Sequence, residues 1–183
     1  MRNKRFIVLI AILFVGTDAL AEVVDAEAGG FTSVNEATID APRDAVWRAA
    51  IAEINQWWSS EHTISGEASR LRIEARPLGC FCEDLGEGAG VVHMTVTTHS
   101  PAAMLRLTGG LGPLGLMGVE GNMTWEFSDT DDGTWIRFTY AVGGYHPGGL
   151  DSLAAPVDGV IGEALERLKA YVETGDAEPS AID

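Results

Sequence analysis

Cys80 and Cys82 are the only cysteines in the chain, and one residue separates them. On an extended strand, residues two apart point to the same face. With Glu87-Gly88 as a two-residue hairpin loop, the return strand sets His93 opposite Cys82. Three chemistries fit this trio: two buried free thiols, a disulfide, or a Cys-Cys-His metal or redox site. On a straight strand such a pair lies near the upper limit of Cα separation for bridging, so a disulfide requires a bulge. A tetrahedral metal site wants a fourth ligand. His62, His99 and His146 stand at no metal-ligand spacing, so no metal is expected. Acid–base chemistry has three candidates, His93, Glu83 and Tyr140. Glu83 follows Cys82 and falls on the opposite strand face, where it reads as an outward, solvated carboxylate. Turned inward, it would pair with an arginine or serve as a general base.

Apolar binding is the other chemistry the residues offer. Met94, Trp125, Phe127, Phe138 and Tyr140 are bulky residues on strand patterns that turn inward, and they are candidate ligand-binding side chains. Trp57 and Trp58, with Leu114, Leu116 and Met117, are placed to guard an entrance. The competing reading of all these residues is a solid core. The segment 109–121 (GGLGPLGLMGVEG) holds six glycines and one proline. It lacks the Gly-Lys-Ser/Thr ending of a phosphate loop, so it reads as a mobile apolar lid or a β connection. No nucleophile elbow, HExxH or dinucleotide fingerprint occurs, and no cofactor is expected.

The elements that would position these residues follow from periodicity. Residues 31–39 alternate as a first strand. Asp40-Ala41-Pro42 opens a helix over 42–55, with Val46, Trp47, Ala50, Ile51 and Ile54 at helical spacing. A strand at 70–76, a bend at Pro77-Leu78-Gly79 and a strand at 80–83 precede the turn at 86–89. Strands at 91–98, 104–107, 122–127 and 134–142 follow. Val157, Val160, Ile161, Ala164, Leu165, Leu168 and Val172 then define a long amphipathic helix, with Pro156 at its start and Gly175 just past its end. Strands followed by one long closing helix give an α+β class, a curved antiparallel sheet around a terminal helix.

The first residues read as an address. Arg2, Lys4 and Arg5 precede an apolar run at 6–15, Asp18 stops it, and Ala19-Leu20-Ala21 is a small-x-small cleavage pattern. The run is too short to span a bilayer. The expected organisation is a signal peptide over 1–21, a flexible lead-in at 22–30, one domain at 31–174 and a disordered tail at 175–183. Such a protein is secreted, into a bacterial periplasm, without stable membrane insertion after cleavage. The full chain carries 12 Lys+Arg against 27 Asp+Glu, a formal charge of −15. That balance excludes nucleic acid and anionic lipid surfaces as partners.

Several stretches resemble the START-like superfamily, also called SRPBCC. They are Ile39-Asp40-Ala41-Pro42-Arg43-Asp44-Ala45-Val46-Trp47, the Trp57-Trp58 pair, Gly79-Cys80-Phe81-Cys82-Glu83, Gly109-Gly110-Leu111-Gly112-Pro113-Leu114 and Pro156-Val157-Asp158-Gly159-Val160. That superfamily includes birch-pollen allergens, polyketide cyclases and dehydrases, and relatives of the heat-shock-protein-90 ATPase activator. The resemblance covers 31–174 and implies a helix-grip fold, with a small hydrophobic ligand between sheet and closing helix. It also implies an alternative, a cyclase- or dehydratase-type enzyme using the same cavity. The apolar residues of the 109–121 loop leave another reading open, a non-ligand envelope interaction module.

Overall fold

The computed structural model describes residues 20–178. The segment read as a signal lies outside the described residues except for Leu20 and Ala21, and so does the tail from 179 onward.

Eight strands form one antiparallel sheet: β1 (Leu20–Glu27), β2 (Gly30–Ile39), β3 (Leu71–Ile73), β4 (Cys80–Gly86), β5 (Ala89–Ser100), β6 (Met104–Thr108), β7 (Gly118–Thr130) and β8 (Gly133–Tyr145). Their order across the sheet is β1-β2-β8-β7-β6-β5-β4-β3. Helix α1 (Arg43–Ala52) and the short α2 (Ile54–Trp57) cross from β2 to β3, and α3 (Asp151–Thr174) closes the fold. This is the curved sheet and terminal helix that the periodicity predicts. α3 packs along β2 and β1.

The alternation in sequence becomes an alternation in burial. In β2, Phe31, Ser33, Asn35, Ala37 and Ile39 face inward. Their neighbours in β8 are Thr134, Ile136, Phe138, Tyr140 and Val142, in continuous register from Gly30↔Gly143 to Ile39↔Thr134. From α3, Ile161, Ala164, Leu165 and Leu168 enter this core. Burial of such side chains contributes about 1.5–3 kcal/mol each, so the core governs the fold.

Three expectations change. Part of the expected lead-in is a strand: β1 pairs with β2, with a bulge between Val23 and Asp25. Its sequence, LAEVVDAE, carries little apolar alternation because it is an edge strand with one half-buried valine, Val23. The closing helix begins at Asp151, so Pro156 lies inside its second turn rather than at its start. There Pro156 has no N–H for the carbonyl four residues back. The N–H of Leu150, just before the helix, is tied to the Ala28 carbonyl at 3.0 Å. Finally, the glycine-rich segment is loop only up to Met117, because β7 already begins at Gly118.

Candidate functional site

A pocket of about 670 Å³ opens at one end of the grip. Its walls come from four places. The first half of α3 presents Leu153, Val157, Val160 and Ile161. Sheet residues Phe81, Val92 and His93 face them. Residues 61–64 form a third side, and Gly110 through Met117 form the cover. Val157 and Val160 extend the apolar stripe of α3 beyond the core. They are half-buried and line this hollow, Val157 also packing against the core. At the mouth, Leu116 is 92% exposed, Val92 61% and Ile64 57%. Three large apolar groups left in water around one opening are unusual for a surface with nothing to bind.

Tyr140 fixes the cover. Its hydroxyl donates to the Gly109 carbonyl and accepts the Leu111 N–H, both at 3.0 Å. Gly121 lies against its ring, where a Cβ would come within 2.5 Å of Cε2, so only glycine fits. Burial pushes the phenol up to about 12, with the Leu111 N–H opposing the shift. Tyr140 therefore keeps its proton and stays a donor to Gly109; its hydroxyl is committed to the backbone, and the residue lies outside the pocket wall. The loop runs from this anchor through a 3-10 turn at Gly112–Leu116. On the opposite rim, His62 Nε2 meets Glu163 Oε2 at 2.9 Å, clasping the turn Ser60–His62 to α3.

The β4–β5 hairpin re-aims three side chains. Cys80 pairs with Thr95 and Phe81 with Met94, but a register shift then sets Cys82 opposite Val92 and Glu83 opposite Val91. His93 is the extra residue of this bulge, so it does not face Cys82 as the regular hairpin predicts. Bulges redirect side chains in this way. Glu83 is 1% exposed, not solvated, and His93 is 7% exposed. His93 Nε2 and Glu83 Oε2 are 2.9 Å apart. The Ile64 N–H donates to Glu83 Oε2 at 3.0 Å, and the Ser65 N–H donates to Oε1. Burial opposes ionisation of Glu83, but hydrogen bonds from Ser65, Ile64 and His93 outweigh it and hold the carboxyl below its ordinary value. The carboxylate is thus the acceptor, and His93 donates through Nε2. A carboxylate behind one nitrogen fixes the tautomer and the direction of the other.

Cys80 and Cys82 are bridged to each other, with Cα atoms 5.3 Å apart. The bulge between Phe81 and Cys82 brings them inside the separation a bridge requires. The Cys-Cys-His trio therefore does not form, and no group of three or more His, Cys, Asp or Glu residues able to hold a metal occurs among the described residues.

The seven residues expected to bind ligand do not line the pocket. Trp57, Trp58, Met94, Trp125, Phe127, Phe138 and Tyr140 are each at most 4% exposed. Trp125 stacks on Phe138 with ring centroids 4.5 Å apart, and Phe127 meets Trp47 edge-on at 5.1 Å. Trp57 contacts both Trp58 and Trp125, and its indole N–H donates to the Ala49 carbonyl at 2.9 Å. The middle of the grip is solid because these rings fill it. The hollow lies to one side, where the facing residues are valines, leucines and glycines. Of the residues expected at an entrance, Leu114, Leu116 and Met117 are in the pocket wall, as is His93.

Curved sheet, closing helix and lateral pocket together define a helix-grip domain of the SRPBCC type. The chain belongs to the polyketide cyclase/dehydrase and lipid transport family, whose model matches residues 31–173. No curated protein matches the chain. Among solved structures, a conserved protein of unknown function from Enterococcus faecalis is similar at 19% identity and TM-score 0.60, over 90% of this chain and 82% of that one. CalU16 from Micromonospora echinospora is similar at 16% identity and TM-score 0.55, over 88% and 87%. An uncharacterized protein from Rhizobium leguminosarum is similar at 20% identity and TM-score 0.56, over 86% and 99%. At these identities the likeness is one of fold.

Proposed function

We propose that this chain is an exported carrier or sensor that holds a small hydrophobic molecule beneath the glycine-rich cover. The observation that carries the reading is the pocket of about 670 Å³, walled by aliphatic side chains and ringed by exposed Leu116, Val92 and Ile64. Its size falls within the usual range for small-molecule sites. A guest burying about 200 Å² of apolar surface would gain about 5 kcal/mol before the costs of association. The family's association with lipid transport agrees with this chemistry. Support for export is the basic start, apolar run and small-x-small pattern of the first 21 residues. Cleavage after Ala21 would leave Glu22 onward, so most of β1 would remain in the mature protein. The periplasm of a bacterium is the compartment we assign, and N-terminal sequencing of exported protein tests it, with an intact Met1 as the contrary result.

Native mass spectrometry of gently purified protein, followed by organic extraction, tests the carrier reading. A bound lipophile, or exchange with an added one, is expected. A protein that neither brings down nor takes up any lipophile contradicts it. One observation favours a second reading: His93 is an imidazole oriented by a carboxylate at an apolar pocket, the arrangement of a general base. That reading predicts cyclase- or dehydratase-type turnover that His93→Phe abolishes, against turnover in the variant equal to that of the unsubstituted protein.

A further inference from the structure

Few polar side chains reach the pocket, and most are already engaged. Thr63 Oγ1 donates to the Ser60 carbonyl at 2.8 Å, and His62 Nε2 is paired with Glu163. Glu61 sits on the exposed rim. His93 differs. Its Nε2 is committed to Glu83, while Nδ1 has no hydrogen-bond partner among the described residues. The residue is 7% exposed, and it lines the pocket. The ring cannot swing freely. Phe81 lies 5.4 Å away between centroids, and Trp58 in turn braces Phe81 at 5.4 Å.

The proton inventory then decides what Nδ1 can do. Both Glu83 oxygens accept backbone N–H groups, and Oε2 also accepts from the imidazole. When the ring carries a single proton, on Nε2, His93 presents a lone pair at Nδ1. No Lys or Arg lines the pocket. An anionic guest would therefore enter an apolar site beside the buried Glu83 carboxylate, past Glu61, on a chain of formal charge −15, with no cation side chain to meet it. A guest with acceptors only would leave Nδ1 unpaired and find no matching donor there.

We propose that Nδ1 of His93, held by Glu83, is the polar anchor of the pocket and selects uncharged lipophiles that carry one hydroxyl: a phenol, an enol or an alcohol. The inference rests on the pocket reading above and adds the class of guest. The hydroxyl donates to Nδ1, the apolar body lies against Val157, Val160 and Leu114, and the far end points toward the mouth at Leu116.

Three fluorescent probes of one ring system test this: 2-naphthol, 2-methoxynaphthalene and 2-naphthoate. The unsubstituted protein is titrated with each near neutral pH. The expected result is 2-naphthol bound about ten-fold more tightly than its methyl ether, as when a buried acceptor gains its partner, with 2-naphthoate the weakest. His93→Phe, checked for native circular dichroism, should bind naphthol and ether alike. Equal binding of naphthol and ether by the unsubstituted protein overturns the anchor but leaves the pocket reading standing. Tightest binding of 2-naphthoate overturns the neutral-guest class. Binding of none of the three overturns the anchor and the pocket reading together. The probe comparison in the unsubstituted protein decides the matter even if the variant does not fold.

Discussion

Tyr140→Phe isolates the anchor of the pocket cover. Phenylalanine fills the same volume in a site where Tyr140 is 0% exposed, so packing is preserved and only the hydroxyl is lost. Two backbone groups then lose their partner at once, the Gly109 carbonyl and the Leu111 N–H, each 3.0 Å from the oxygen. Both residues are half-buried, so water can compensate in part. About 1 kcal/mol per group, near the low end for an unpaired polar group, gives about 2 kcal/mol in all. For a domain of this size that lowers Tm by about 4–8 °C. The effect should be local. Hydrogen exchange at Leu111 and through the 3-10 turn at Gly112–Leu116 should quicken, while the β2–β8 register is unchanged. Thermal unfolding followed by circular dichroism, with peptide-level exchange, makes both measurements. An unchanged Tm with unchanged exchange at Leu111 would refute the claim that this phenol holds the cover.

The Glu83 carboxyl is held below its ordinary value in the fold, so it contributes stability that is fully present above the unfolded carboxyl range and lost as pH falls through the folded value. Urea midpoints measured downward from about pH 6 should fall, and Glu83→Gln should remove part of that slope; identical slopes would contradict the assignment. Val160→Asp puts a charge into a half-buried pocket wall and should abolish uptake of 2-naphthol, while Tm changes far less than for Ile161→Asp in the core beside it. Thiol titration of protein denatured without reductant should find no free thiol, and two after reduction; two before reduction would exclude the Cys80–Cys82 bridge.

The architecture was legible because its signals are periodic. The alternation through 134–142 and the stripe from Val157 to Val172 state directly which face is buried. What the sequence concealed are departures from period. One extra residue at His93 shifts the β4–β5 register, and that shift turns Glu83 inward and brings Cys80 and Cys82 within bridging reach. No local residue type marks such a bulge. The seven expected ligand contacts lie outside the pocket wall for a related reason. Large aromatic side chains attract attention as ligand contacts, yet Trp57, Trp125 and Phe138 are the residues best able to fill space, so they close the centre. The pocket wall instead takes Val157 and Val160, at the start of the α3 stripe, and the aliphatic residues among the glycines of the cover. β1 was missed because an outermost strand buries little, so charge can occupy most of its length.

That same outermost strand should also discourage one kind of contact between copies of the protein, pairing through the β1 edge. Glu22, Asp25 and Glu27 are all exposed along β1, and the kink after Val23 spoils a straight run of free amides and carbonyls. Two molecules meeting rim to rim would bring carboxylates together and mismatch their backbones, so crowding should leave them dispersed at low ionic strength. Neutralising those three side chains would turn a fringe that repels its own kind into one open to self-association.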